Sequence, residues 1–472
     1  MPAITGNRIT IAVLLAAGLA ILGCGGNIAT QTAPTNPPAV PAGSTPVQIS
    51  LGDAPADWIM AFGMTVNSIS LTNAGGSTVS VLSTASPMEM MQSMATVQPL
   101  ASMAVPQGTY TQATVTFSAV SMGYMDPVSH AYTPKTLAGP FTATVPFSPA
   151  MTVGASPMAL NFDMKMGASV SMDGSGNVSL TPMMTATTAS ALGTGTNPWQ
   201  GTMQHRIGTL SSISGSQFTM GSMMGMQTTT FTTNASTQFV GTGFTGMGSM
   251  MTSMMVGVDA ALQPDGTYLA QRVESMGAGT GGMMGGGLVT AITGNPPTQL
   301  TMVASAGQGG GMMASSIAGT LTVSVPAATP YTYDSNGVDL AALPFTPTFG
   351  PTSLTKGQRV EVVSGSGMMS GGMMGGSGSL TASQVRLEQQ GLHGVVSGYA
   401  SSGLQATFTL TLPADSAFTT LTGQTTVKVY QQAGTQLRGL ASVANTNDVM
   451  VRGLLFNDSG TYRLVATWIT TP

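Results

Sequence analysis

The chain has 472 residues, a length typical of about three or four domains, and only 6% of its residues are charged, against about 25% in an ordinary soluble domain. With 12 basic residues, 16 acidic residues and a net charge of −4, it lacks the basic surface that nucleic-acid binding requires, so we expect no nucleic-acid partner. A single cysteine excludes an intramolecular disulfide, and a surface of Thr, Ser, Gln, Asn and Gly favours strands over exposed helices.

The first predicted element is an apolar segment, Ile9–Leu22, which follows the basic residue Arg8. Its 14 residues suit the apolar region of a secretion signal, about 7–15 residues long, and fall short of the roughly 20 that a membrane-spanning helix needs. The segment ends in Ile21-Leu22-Gly23-Cys24, which resembles the lipobox of bacterial lipoproteins. The resemblance implies that residues 1–23 are a cleaved signal peptide and that the Cys24 thiol, a good nucleophile as thiolate, is the lipid-attachment site.

Two other interpretations of this segment stay open, namely an ordinary cleaved signal peptide with a chance cysteine and a true transmembrane anchor. The lipid anchor is favoured because Cys24 is the only cysteine and stands at the end of the apolar segment. Gly25 follows it where enteric-type retention in the inner membrane would need Asp, so the resemblance implies the outer membrane. Several acyl chains give a stable anchor, and residues 24–46, rich in Pro and Thr, are predicted to be a disordered tether.

Residues 47–187 alternate apolar and polar residues between turn residues, which predicts a β-sandwich. Hairpins are predicted around Asn73–Gly76 and Asp173–Asn177, and one helix is predicted from Pro87 to Ala104, where methionines could share a packed face. The domain resembles an uncharacterised bacterial lipoprotein family, a domain of unknown function, which implies architecture and no activity. The motifs that carry this resemblance are Gly52-Asp53-Ala54-Pro55, Val105-Pro106-Gln107-Gly108-Thr109-Tyr110 and Leu160-Asn161-Phe162-Asp163.

After a linker at 188–203, one pattern occurs three times, and it predicts three small OB-like β-barrels at 204–278, 286–390 and 391–472. Their opening segments match, closely at Gly208–Gly215 and Gly287–Gly294 and more weakly at His393–Gly398. The unequal spacing of these openings places the insertions in loops and predicts separate beads on a string. The units also resemble a second uncharacterised bacterial repeat family. The predicted fold class is all-β, with an amino-terminal sandwich and three barrels joined by flexible Gly/Met-rich loops.

The 38 methionines are the most unusual feature of the composition, because many lie in Gly- and Ser-rich runs that offer no periodic face for packing. Thioether sulfur prefers Cu(I) or Ag(I), so one hypothesis is soft-metal capture. Its candidate ligands are Met223, Met224, Met226, Met250, Met251, Met254, Met255, Met368, Met369, Met373 and Met374. The alternatives are sacrificial oxidation to the sulfoxide and low-complexity drift without a role, which the lack of accompanying His or Cys favours.

Few residues suggest catalysis. Three different predicted regions hold the histidines His130, His205 and His393, and the sequence has no HExxH, Walker A or Rossmann motif. Asp53 and Asp57 could act as paired carboxylates, but the Asp-Ala-Pro context favours a turn. Asp334–Asp339 has some features of a calcium loop without the closing Glu, which again favours a turn.

We therefore expect an exported, lipid-anchored protein of the bacterial cell envelope that has a non-catalytic structural or binding role and no cofactor. Its expected partners are the membrane, through the lipid on Cys24, and an unidentified envelope or extracellular ligand. The alternative is a methionine-rich lipoprotein that binds Cu(I) or Ag(I). An uncharacterised enzyme is the third hypothesis, because no catalytic constellation is recognisable.

Overall fold

A computed structural model describes residues 42–471 with internal gaps. It does not describe residues 1–41, 55, 83, 91–97, 127–128, 130, 174–175, 191–201, 223–227, 242, 264–266, 276–283, 305–319, 334, 336–337, 341–342, 365–377, 404, 439 and 472. The regular structure of the described residues is almost entirely β-strand, arranged as one sandwich and three small barrels. The predicted fold class is thereby confirmed, whereas the predicted signal peptide, the lipid-attachment residue Cys24 and most of the tether lie outside the described residues.

Two sheets enclose the core of the amino-terminal domain. The first, in spatial order β12-β9-β1-β5, contains β1 (Ser44–Ala54), β5 (Gln98–Pro106), β9 (Met158–Lys165) and β12 (Met184–Ser190). The second contains β2 (Ile59–Asn73), β3 (Thr78–Leu82), β4 (Ser86–Glu89), β6 (Gly108–Met125), β7 (Tyr132–Leu137) and β8 (Phe141–Val153). Because successive side chains point to opposite faces of a strand, every second residue of β1 enters the shared core, as Val47, Ile49 and Leu51 do.

Both hairpins predicted in this domain are confirmed. Asn73 Oδ1 accepts hydrogen bonds from the N–H groups of Gly75 and Ser77, each at 2.9 Å, in the turn between β2 and β3. A short helix, α1 (Met166–Ser169), precedes the second hairpin, which consists of β10 (Val170–Met172) and β11 (Val178–Leu180). There Asp173 Oδ1 accepts from the Asn177 N–H at 2.8 Å. In both turns a short polar side chain satisfies backbone donors, which is why Asn and Asp predict turns.

The helix predicted from Pro87 to Ala104 is wrong. Its first part belongs to β4, which pairs with β2, and its last part belongs to β5, which pairs with β1. Met88 and Met90 are both buried in the sandwich core. A spacing of two residues between buried side chains is that of a strand, whereas a helix face repeats every three or four. These methionines therefore pack in the core as predicted, but from extended backbone.

Each of the other three units is a closed barrel of five principal strands in one order. In the first barrel, β13 (Thr202–Ser214), β14 (Gln217–Ser222) and β15 (Thr228–Thr232) form a meander, and β17 (Met255–Leu262) pairs with β13. The last strand, β18 (Tyr268–Ser275), pairs with β17 and closes the barrel against β15. The second barrel repeats this order with β19 (Met284–Thr293), β20 (Gln299–Ala304), β21 (Thr320–Ser324), β23 (Arg359–Ser364) and β24 (Gly378–Leu387). The third uses β25 (Gln389–Ser402), β26 (Gln405–Thr411), β27 (Thr426–Arg438), β28 (Asp448–Asp458) and β29 (Thr461–Thr470).

The insertions of the barrels are also related. A short strand pairs in parallel with the last strand in the first two barrels, as β16 (Gln238–Val240) on β18 and β22 (Tyr331–Tyr333) on β24. In the third barrel the end of β27 takes this place, with Gln436–Arg438 beside β29. The third barrel has a helix, α2 (Ala417–Thr422), between β26 and β27; the equivalent connections of the other two barrels lie outside the described residues. The shared pattern confirms the prediction of three copies of one small barrel.

The prediction that the barrels are separate beads is wrong for the second and third barrels. They share one apolar cluster, which includes Val360 and Leu387 of the second barrel and Leu454, Phe456 and Val465 of the third. Tyr333 of the second barrel stands edge-on to Phe456, with ring centroids 5.5 Å apart. Apolar surface that one barrel alone would expose to water is buried between the two, which favours their association.

A substitution at Gly357 can test how closely the second and third barrels pack. Its φ is +82°, and a Cβ atom on it would lie 2.8 Å from Phe418 Cδ2 and from Thr422 Cγ2 of the third barrel. Gly76 has a matching φ of +83°, and no described atom lies within 4 Å of its Cβ position. Both alanine substitutions strain the backbone equally, but only Gly357→Ala meets a neighbouring domain. We expect it to lower the free energy of unfolding by about 1–3 kcal/mol more than Gly76→Ala does, as measured by urea unfolding; equal losses would contradict the close packing.

Candidate functional site

One imidazole–carboxylate cluster occurs among the described residues, and it lies where the sandwich meets the third barrel. His393 is in β25, Asp448 begins the neighbouring strand β28, and Asp57 lies in the turn between β1 and β2. His393 Nδ1 lies 2.7 Å from Asp57 Oδ2, and His393 Nε2 lies 2.8 Å from Asp448 Oδ1. The imidazole therefore bridges two carboxylates that belong to different domains.

The electrostatics of the cluster favour the cationic imidazole. The side chains of His393 and Asp57 are 19% and 16% exposed, whereas that of Asp448 is 57% exposed. The hydrogen bond to Asp57 is the main cause that raises the pKa of His393; burial opposes the rise and Asp448 adds to it. In the protonated ring both nitrogens carry a proton, so each of them can face its carboxylate as a donor.

Asp57 also contacts the third barrel through its main chain. Its carbonyl oxygen accepts a hydrogen bond from the Ala417 N–H at 2.7 Å, at the start of α2. The turn that carries Asp57 is closed by a hydrogen bond of 2.9 Å from the Ile59 N–H to the Ala56 carbonyl. It begins after the motif that predicted a turn, because Asp53 and Ala54 still belong to β1. Asp53, which the sequence offered as its partner carboxylate, lies in β1, and its side chain is outside the described ones.

A cavity of about 80 Å³ adjoins this cluster. The sandwich and the second and third barrels all contribute to its lining, which includes Asp57, Ile59, Leu288, Arg359, His393, Phe418 and Arg452. Gln390 of the third barrel holds the second barrel at this wall, because its Oε1 accepts from the Arg359 N–H at 2.7 Å and its Nε2 donates to the Gly357 carbonyl at 2.9 Å. Hydrogen bonds between domains therefore fix the shape of the cavity.

A second group of charges joins the first and second barrels. Arg386 of β24 reaches Glu274 of β18 through Nη1 at 2.9 Å, Glu388 through Nε at 3.1 Å, and also Glu361 through Nη2. Glu274 pairs in addition with Arg272 at 2.9 Å. None of these side chains is more than 18% exposed. Ions with little hydration depend on their partners to offset the cost of desolvation, so this network favours one relative placement of the two barrels.

Glu361 is the most deeply buried member of this network, with a side chain 1% exposed. Burial, followed by the neighbouring Glu388, raises the pKa of Glu361 to about 8 against the lowering effect of Arg386. The folded state therefore binds a proton here that the unfolded state releases near its ordinary pKa of 4.5. By linkage, this group lowers stability as the pH rises between these two values.

Four of the eleven candidate metal ligands are described, all in the first barrel. Met250 and Met254 are buried in its apolar core, and the side chain of Met254 accepts a hydrogen bond from the Met251 N–H at 3.1 Å. Met255 is half-buried, and Met251 is 58% exposed. Met223, Met224, Met226, Met368, Met369, Met373 and Met374 lie outside the described residues. The structure thus uses Met250 and Met254 as packing side chains.

The structure describes the remaining predicted residues only in part. His130 and Asp334 lie outside the described residues, and His205 is in β13 with a side chain that is not described. Within the parts of the chain that the structure covers, no three His, Cys, Asp or Glu side chains are grouped as a metal ion would require. The described residues also include no helix that has the length and apolar character to cross a membrane.

Comparison with known families identifies one region. Residues 207–274 match a family described as a domain of unknown function (DUF5666), and this range falls within β13–β18 of the first barrel. The match confirms that the chain contains an uncharacterised domain and leaves its activity open. A search of curated proteins finds no match.

Sequence reasoning missed the His393 cluster because its members are distant along the chain. His393 and Asp448 could have been paired from the repeat alone, because the first and fourth strands of each barrel are neighbours and Asp448 stands opposite Val395, two residues from His393. No pattern in the sequence linked Asp57 to the third barrel. That contact depends on how two domains dock, which periodicity within one domain does not encode.

The raised pKa of His393 predicts that its contact between the sandwich and the third barrel contributes more stability in acid than in base. Such a group stabilises fully below its unfolded pKa of 6.5 and loses this contribution as the pH rises through its folded pKa. We expect His393→Gln to lower the free energy of unfolding by about 1.5–3 kcal/mol at about pH 5.5. The loss should become smaller as the pH is raised toward about 9, because the imidazole gives up its proton as the pH passes its raised folded pKa. Urea unfolding at both pH values measures the difference.

Two comparisons make this test specific. Glu361 changes stability in the same direction with pH, so the difference between wild type and variant, rather than the wild-type profile, isolates the imidazole. His205→Gln in the first barrel controls for the loss of a histidine as such. A difference between wild type and His393→Gln that is the same at both pH values would contradict the assignment.

Proposed function

We propose that this chain is a non-catalytic protein of the bacterial cell envelope, anchored by lipid at Cys24, with a structural or binding role. The observation that carries the non-catalytic part is the position of His393. Each of its ring nitrogens faces a carboxylate, Asp57 at 2.7 Å and Asp448 at 2.8 Å. A general base must instead direct a nitrogen at a proton of the substrate. One ring nitrogen joins the third barrel to the sandwich through Asp57, and the other faces Asp448 of its own barrel.

The Arg386 network supports the same proposal. Charged side chains are sparse in this chain, and this group of them lies between two barrels. Arg386 and Glu361 are 18% and 1% exposed and contact each other. Contact between oppositely charged, little-exposed side chains at a domain boundary is the arrangement of a structural ion network. Perturbed pKa values also occur in such networks, so the raised pKa of Glu361 does not by itself indicate an active site.

The anchor and the envelope location are proposed from the sequence. The apolar segment Ile9–Leu22 has the length of a secretion signal, and the lipobox-like motif ends at Cys24. Gly25 after the cysteine favours the outer membrane by the resemblance given above. Export would permit disulfides, but the chain has a single cysteine, so its stability comes from the apolar residues that it buries in sheet cores.

The alternative, an envelope lipoprotein that binds Cu(I) or Ag(I) through methionine, has weaker support. Met250 and Met254 would have to leave the apolar core of the first barrel to act as ligands, which would expose buried surface and leave a void. Among the four described candidates, Met251 alone has a widely exposed side chain. An enzyme is the third hypothesis, and the carboxylates next to both ring nitrogens of His393 count against it.

The anchor is tested on the full chain expressed in a bacterium that processes lipoproteins. We expect the mature wild-type protein to begin at Cys24, to carry fatty acid on that residue by mass spectrometry, and to sediment with membranes. Cys24→Ser removes the acylated thiol and should abolish both the added mass and the membrane association, whereas the nearby control Gly26→Ala should retain them. A mature chain that begins at another residue, or a Cys24 free of fatty acid, would contradict the proposal.

A further inference from the structure

The imidazole of His393 lies between two carboxylates, a position that only the protonated ring satisfies on both sides. Its Nδ1 lies 2.7 Å from Asp57 Oδ2, and its Nε2 lies 2.8 Å from Asp448 Oδ1. A carboxylate accepts hydrogen bonds and donates none, whereas a neutral imidazole has one N–H and one lone pair. Either neutral tautomer therefore leaves a lone pair facing a carboxylate oxygen, and only the imidazolium donates toward both.

The two carboxylates differ in the domain from which they come. Asp448 begins the strand next to that of His393 in the third barrel, so it accompanies the ring whether or not the sandwich is docked. Asp57 belongs to the sandwich and reaches the ring only through docking. Its hydrogen bond is the largest of the causes that raise the pKa of His393. Because docking raises the proton affinity of the ring, protonation must by linkage strengthen docking to the same extent.

The other charged groups near the ring do not replace this contact. Arg359 and Arg452 line the adjoining cavity, but each has a partner within the protein, and neither is among the causes that shift the pKa of His393. No charged residue other than the histidine itself occurs in β25, β26 or α2. Asp415, just before α2, is exposed and is not among those causes either. The two carboxylates in contact with the ring are therefore the charges that govern its proton.

The segment around Asp57 forms one wall of the cavity described above, because Asp57, Ile59 and Met60 line it. The hydrogen bond of 2.7 Å from the Ala417 N–H to the Asp57 carbonyl also attaches this segment to the third barrel. The sandwich is held at a second place as well, since Ala159 of β9 is buried in the apolar cluster of the first barrel. The turn that carries Asp57 can therefore loosen from the third barrel while the domains stay folded.

We propose that the proton on His393 acts as a latch between the sandwich and the third barrel. The imidazolium holds the turn of Asp57 against the barrel and closes that wall of the cavity, and loss of the proton releases the turn and widens the cavity. Because docking raises the pKa of this group, the latch is closed in acid and opens as the pH rises through the docked pKa. This inference goes beyond the proposed envelope role, which names no regulation, and it does not depend on the lipid at Cys24.

Amide hydrogen exchange of the full chain in detergent micelles, resolved to single residues by mass spectrometry, tests the latch. The Ala417 N–H reports docking, because it donates to the Asp57 carbonyl. The Leu412 N–H reports the folding of the third barrel itself, because it donates to the Thr425 carbonyl of that barrel at 2.9 Å. Protection factors, corrected for the intrinsic pH dependence of exchange, are compared between about pH 6 and about pH 9.

Three variants make the test specific. Asp448→Asn supplies an amide that can donate to Nε2 of the neutral ring, so that Nδ1–H stays directed at Asp57 in alkaline solution. Asp415→Asn makes the same change of charge at an exposed position beside α2 and is the matched control. His393→Gln removes the titrating group.

We expect the wild-type protection of the Ala417 N–H to fall about tenfold from the lower to the higher pH, the effect of about one pKa unit of coupling. The protection of the Leu412 N–H should change by less than about twofold. At Ala417, Asp415→Asn should follow the wild type, Asp448→Asn should fall by less than about threefold, and His393→Gln should be weakly protected at both pH values.

A constant wild-type protection at Ala417, or an equal fall at Leu412, would overturn the latch, the second because it indicates unfolding of the barrel. An equal fall in wild type and Asp448→Asn would overturn it too, because the neutral ring would then not be in conflict with two acceptors. Should His393→Gln lose protection at Leu412, and so fail to fold, Asp448→Asn decides the question alone.

Discussion

Arg386 of the second barrel contacts carboxylates from two different barrels. They are Glu274 of the first barrel, Glu361 of the neighbouring strand β23, and Glu388, two residues after Arg386 in the chain. These ions have little access to water, so each depends on the others to offset its desolvation. Removal of one partner would leave a buried charge without compensation, which typically costs about 3–5 kcal/mol. The relative placement of the first two barrels depends on these contacts, because the buried ion pair between Arg386 and Glu274 forms only where the two barrels meet.

Charge is scarce in this protein, and among the described residues a connected group of charged side chains lies where domains meet. Four acidic and four basic residues form one electrostatically connected group, linked by ion pairs or by their influence on the pKa of Arg452: Asp259, Arg272, Glu274, Arg359, Glu361, Arg386, Glu388 and Arg452. His393 adds a further bridge from the third barrel to the sandwich. Uncharged polar residues cover the exposed faces of strands and turns. The charged side chains instead form ion pairs, whose contacts depend on direction and partner. Interfaces joined in this way favour a fixed assembly, which agrees with the structural or binding role proposed above.

The fold within each domain could be predicted from the sequence, and the contacts between domains could not. Alternating residues and turn residues such as Asn73 and Asp173 correctly indicated strands and hairpins, because those signals are local. The helix around Met88 was mispredicted because short apolar runs fit both periods, and pairing with β2 decided for a strand. Glu274 and Arg386 show the limit most clearly. Glu274 follows Val273, which pairs with the fourth strand of the first barrel, and Arg386 follows Val385, which pairs with the fourth strand of the second. The two residues therefore occupy equivalent positions in two copies of one unit. Their contact becomes visible only when the two barrels are docked.

The central claim, that buried ion pairs between β domains hold the described part of the chain in one arrangement, is tested most directly by a double-mutant cycle. Glu274→Gln, Arg386→Met and the double variant are compared with the wild type by the free energy of unfolding. We expect each single variant to be destabilised and the pair to show a coupling energy of about 1–3 kcal/mol, as for residues in direct ionic contact. Losses that add within about 0.3–0.5 kcal/mol, as for independent sites, would contradict the claim.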